Sequence, residues 1–164
     1  MKSKEIALSA VLVALTSIIL YLNLLIPINT LSILTLASFI IPIAMIRGSI
    51  KSAFLVYIAS TIIGFFFLPI NIVLLYGIFF GVYGIVKCYI EKLNKLYLEI
   101  IFKLLFFNAI LFILLFLFNT FLSTEIIKLP LWLIYVVSQP AFLIFDYALT
   151  LLISFYMQKV HNKI

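Results

Sequence analysis

Six long apolar runs, separated by short polar or helix-breaking stretches, leave this chain few possible architectures. The runs extend from Glu5 to Ile26, Leu31 to Ile46, Ser52 to Leu68, Asn71 to Ile90, Leu98 to Leu122 and Leu131 to Tyr156. A hydrocarbon core about 30 Å thick is crossed by roughly 20 helical residues. No water is available there to pair a backbone N–H or C=O, so an uninterrupted helix is the form such a run takes. With 67% of 164 residues hydrophobic and 10% charged, the chain has more apolar surface than a soluble domain of its size could bury. The expectation is an all-α, polytopic membrane protein. Residues 1–164 would form a single transmembrane domain, a six-helix bundle embedded in the lipid bilayer.

Local chemistry sets the ends of the runs. The first stops at Pro27 in the loop Pro27-Ile28-Asn29-Thr30, the second at Arg47-Gly48 and the third at Pro69. Proline lacks the donor that would continue a helix. The fourth runs into Glu91-Lys92-Leu93-Asn94-Lys95 and the fifth into Ser123-Thr124-Glu125, while the sixth ends in the tail from Gln158 to Lys163. The first run lacks a small-x-small cleavage site and reads as a retained helix rather than a signal peptide.

The cationic side chains support the same count. With the N-terminus in the cytoplasm, Lys2, Lys4, Arg47, Lys51, Lys87, Lys92, Lys95, Lys159 and Lys163 fall on the inner side, and Lys103 lies within snorkelling reach of it. Only Lys128 falls outside. Such asymmetry is the positive-inside pattern for six helices with both termini cytoplasmic, and the expected location is the plasma membrane. The net charge of +6 therefore reports topology, and no nucleic-acid partner is expected. Loops of about ten residues or fewer leave no room for a soluble catalytic domain. A single cysteine, Cys88, and a single histidine, His161, provide neither a disulfide nor a metal pair. No catalytic residues, metal site or cofactor are expected. An intramembrane enzyme would need paired carboxylates, a Ser/His couple or a ligand cluster at depth, and none is evident.

Small residues recur on helical faces. Ala7, Ala10, Ala14 and Ser17 form one stripe on the first run, Ala53, Ser60 and Gly64 one on the third, and Gly77, Gly81 and Gly84 one on the fourth. Helices associate in lipid by close backbone approach across such stripes. For the third and fourth runs, internal packing is the expected use.

Polar residues at depth concentrate in the second half. Trp132, Tyr135, Gln139, Asp146 and Thr150 line one side of the last run, and Pro140 there leaves a backbone carbonyl without its helical donor. A carboxylate inside a hydrocarbon-length segment marks a functional site by default. Counted from the cytoplasmic ends, Asp146 and Asn108 both lie about 15 Å deep, so Asn108 and Asp146 form a candidate intramembrane polar pair. That pair would lock two helices, whereas an Asp146 facing a cavity would bind a ligand or couple an ion. Lys103 is a further possible partner, with snorkelling its expected fate.

The Ala10-x-x-x-Ala14 pair after a short basic N-terminus is followed by a loop and a short second helix ending in Ile41-Pro42-Ile43-Ala44-Met45-Ile46-Arg47-Gly48. A small-residue third helix and a glycine-rich fourth come next. This arrangement resembles the substrate-binding S component of energy-coupling factor (ECF) vitamin transporters. The resemblance implies a bundle that captures a vitamin or other small micronutrient from outside. It implies docking through the face bearing Ala7, Ala10 and Ala14 onto a transmembrane coupling subunit, and through it onto two ATPase subunits. Those would be separate chains, since no Gly-rich phosphate loop is present here. By position, Asn119, Trp132, Tyr135 and Gln139, with Asn29 in the first loop, would line the pocket for a small-molecule ligand. The scarcity of outer charges suggests a weakly charged ligand held by stacking and a few hydrogen bonds. The alternative is a non-transporting scaffold of the rod-shape and cell-wall machinery. Against it stands Ser60-Thr61-Ile62-Ile63-Gly64, where that family usually carries an acidic residue.

Overall fold

A computed structural model describes residues 3–93, 95–121 and 131–159, and every element among them is helical. Among the described residues, six helices are long and apolar enough to cross a membrane. They are α1 (Ser3–Leu25), α2 (Thr30–Arg47), α3 (Ile50–Phe67), α4 (Ile70–Leu93), α5 (Leu96–Phe121) and α6 (Leu131–Lys159). The protein is therefore a multi-pass, all-helical membrane protein. The expected segments match these helices to within three residues at each end. The exceptions in type are short: a 3₁₀ turn at Pro27–Asn29 replaces open loop, and another at Glu91–Leu93 carries α4 past Ile90. At 18 residues each, α2 and α3 span about 27 Å.

The chain divides into two compact units, the first ending at Lys95 and the second beginning at Leu96. In the first unit, α1 packs against α2 and α3, and α4 packs against α2 and α3. Its core includes Leu20, Leu34, Ile41, Val56, Tyr76 and Tyr83. The corner between α2 and α3 is tight because Gly48 has no side chain, and a Cβ there would meet Ser52 Oγ at 2.7 Å. Ser49 caps α3 by accepting from the Ser52 N–H.

Glycines set the separation of α4 from its neighbours. A Cβ on Gly77 would sit 3.1 Å from Thr61, one on Gly81 2.6 Å from the Tyr57 ring, and one on Gly84 3.0 Å from Pro42. Pro42 removes the N–H that would have bonded the Ser38 carbonyl, and Gly84 is the residue that packs beside that oxygen. Ala53, Ser60 and Gly64 are buried. The stripes of α3 and α4 are thus used for packing inside the first unit. Hydroxyls in this unit turn back onto their own helices: Ser9 donates to Glu5 O, Thr16 to Leu12 O and Ser60 to Val56 O.

In the second unit, α5 and α6 form an antiparallel pair joined by long side chains. Phe107 of α5 stacks on Phe142 of α6 with centroids 4.4 Å apart and planes 10° from parallel.

Candidate functional site

The α5–α6 seam brings together most of the polar residues expected at depth, in a different pairing. Lys103 Nζ lies 3.0 Å from Asp146 Oδ2, and Gln139 Nε2 donates to Asn108 Oδ1 at 2.8 Å. Asn108 also donates to the Leu104 carbonyl one turn earlier. The expected Asn108–Asp146 contact is not made. The stacked phenyl rings fix the register at 107 opposite 142, which sets 103 opposite 146 and 108 close to 139. In that register Asp146 lies opposite Lys103, five residues from Asn108, roughly 7.5 Å along the helices. Counted from the observed ends, Leu96 and Lys159, the two residues still lie at nearly equal depth, so it is the register set by the seam, and not the helix limits, that separates them.

Lys103 likewise does not snorkel. It is 7% exposed, and its Nζ is held in the seam by Asp146. An ammonium and a carboxylate at depth are tolerated as a pair because each removes the other's unpaired charge. The seam thus has three layers: an amide pair, an aromatic stack and an ion pair. Asn108's bond to Leu104 O commits its NH₂ group and turns its oxygen to Gln139, so Gln139 must present its own NH₂ to α5.

The other expected binding residues are spread over both units. Trp132 is 65% exposed, Tyr135 and Gln139 are half-buried, and the side chain of Asn119 lies outside the described residues, as do Lys2, Lys128 and Lys163. Asn29 is exposed at the end of its 3₁₀ turn and makes no side-chain cap to α2. Ala7, Ala10 and Ala14 are exposed, while Ser9, Leu12, Val13, Thr16, Leu20 and Asn23 form the buried face of α1.

Searches against family models, curated proteins and solved structures return no match. Function therefore rests on the residues themselves. Among the described residues no group of three metal-ligating side chains exists.

Three further features of the first unit were not evident in the sequence. A cleft of about 270 Å³ opens between α1 and α3, lined by Ser17, Ile18, Tyr21, Ile63, Phe67 and Leu68 among others. Asn23 is 1% exposed, and neither atom of its amide has a hydrogen-bond partner. A π turn interrupts α4 at Tyr76–Phe80, where Gly81 N–H reaches back five residues to the Tyr76 carbonyl.

Proposed function

We propose that this chain is the membrane-embedded substrate-capture component of an ECF-type importer of a vitamin or other small micronutrient. It would reside in the plasma membrane with both termini cytoplasmic. It would dock on a transmembrane coupling subunit driven by two ATPase subunits. The observation that carries the proposal is the disposition of α1, whose alanine stripe is exposed while its opposite face is packed. Small residues spent on an exposed face of a membrane helix gain nothing against lipid but allow another helix to approach closely. The six spans and the distribution of Lys and Arg support the same reading. Ligand contacts fall to the Trp132–Gln139 end of α6, with Trp132 and Tyr135 supplying aromatic surface. The chain itself performs no chemistry, and import is driven by the ATPases.

Co-purification with the ATPase-bound coupling subunit of the same cell tests the proposal. The wild-type chain is expected to associate. Ala10→Trp and Ala14→Trp are expected to lose the association while retaining the thermal stability of the parent, because both positions are exposed. Association untouched by either substitution, or absent altogether, would remove the transporter reading and favour the scaffold.

A further inference from the structure

The π turn of α4 stores one residue more than an α-helix of the same length would need, and its bonds to α3 hold that residue in place. Tyr57 OH donates to the Gly77 carbonyl at 2.7 Å, and Ser60 Oγ lies 2.9 Å from Tyr76 OH. Tyr76 is 1% exposed, so this contact is made in a dry interior. On one side of the turn the helix is pinned. Gly81 and Gly84 fit against Tyr57, Ile41 and Pro42 so closely that the residues flanking them could not take their places. On the other side lies the six-residue segment Ile70–Leu75, whose start at Pro69 has no side-chain cap. Its buried residues, Ile72 and Val73, are each followed by an apolar residue, Val73 and Leu74.

We infer that Ile70–Leu75 is a movable register element, latched by Tyr57 and Ser60, that reshapes the cleft between α1 and α3. Passing the surplus residue out through the Pro69 end converts the π turn to α-helix. The segment then rotates by about 100° and advances by about 1.5 Å, while Gly81–Leu93 stays in place. Each residue of the segment moves to the place its predecessor held, so Leu74 takes the position of Val73. That position faces Gly64: a Cβ on Gly64 would lie 3.7 Å from Val73 and, beside it, 3.5 Å from Leu68. Gly64 and Leu68 both line the cleft. A leucine in place of a valine behind them pushes Leu68 toward the cleft and narrows it. Within Ile70–Leu75 the buried exchange is apolar for apolar, and the cost of the shift falls on the turn itself, where Tyr76 and Gly77 give up their contacts with Ser60 and Tyr57 and Ile78 comes toward Thr61. Single π turns inside α-helices are often found where a helix does functional work.

Hydrogen exchange read by mass spectrometry on the full chain in lipid nanodiscs tests the latch. Tyr57→Phe keeps the ring against Gly81 and removes only the hydroxyl, and Ser60→Ala removes the second contact. Each is expected to speed exchange across Ile70–Phe80 by roughly fivefold to tenfold, with Gly81–Leu93 unchanged. Unchanged exchange in both variants, or equal acceleration along all of α4, would overturn the inference. Deletion of Ile78 removes the surplus residue. The shortened chain is expected to fold with a continuous α4, and Tyr57→Phe in that background is expected to have no effect on exchange. A deletion variant that fails to fold, or one that remains sensitive to Tyr57→Phe, counts against the register element.

Discussion

The two units solve the problem of helix association in lipid by opposite means. In the first, glycine, alanine and serine let backbones come together, and the hydroxyls of Tyr57 and Ser60 are satisfied by a carbonyl of the next helix or of their own. In the second, long side chains bridge α5 and α6 through an ion pair, an amide pair and a phenyl stack. Close approach gains many small dispersion contacts that are lost by degrees. A polar bridge concentrates its contribution in a few atoms and leaves a costly orphan when one partner is removed. The first unit should therefore respond to added volume, and the second to lost charge.

The largest expected effect lies in the ion pair. Lys103→Leu or Asp146→Leu alone strands a charge and is expected to cost about 3 kcal/mol, measured as unfolding in mixed micelles. The double leucine variant should recover most of that loss, and a double-mutant cycle reads the coupling. Asp146→Asn, which keeps an oxygen for Lys103, should be milder than Asp146→Leu. An Asn variant of normal stability that fails in uptake would assign the charge itself a transport role. Next come the glycines: Gly81→Ala places a methyl 2.6 Å from the Tyr57 ring and should cost about 2 kcal/mol. The same substitution logic applied to the exposed Ala14 should leave stability within about 0.5 kcal/mol of the parent. Between these lies Gln139→Leu, expected to cost about 1 kcal/mol, the usual size of an interhelical hydrogen bond in a membrane protein. If Gly81→Ala were silent while Gln139→Leu unfolded the chain, the contrast between the units would be reversed.

Much of this was legible in the sequence, and the limits follow from physics. Hydropathy fixes where a helix crosses a membrane, so all six spans were readable to within a turn. Small-residue periodicity correctly assigned Ala53, Ser60, Gly64 and the α4 glycines to internal seams. Pairing across helices was not readable, because it depends on the relative register of two helices, which spacing within either one does not contain. Asn108 and Asp146 share a depth in a count from the helix ends, yet the register of the seam gives Asn108 to Gln139 and Asp146 to Lys103. The π turn escaped notice for a related reason. One surplus residue shifts the apolar phase of α4 by a single step, and in a helix apolar on nearly all sides that step leaves no trace.

The central claim, that the exposed alanine face of α1 is a docking surface for a coupling subunit, is tested most directly by photocrosslinking. A benzophenone amino acid at position 11, where Val11 is 65% exposed beside Ala10 and Ala14, is introduced into the full chain in membranes that also contain the ATPase-bound coupling subunit. The expected result is an adduct with the coupling subunit that disappears when Ala14→Trp is added. Adducts with lipid alone, or with a second copy of the chain, would contradict it.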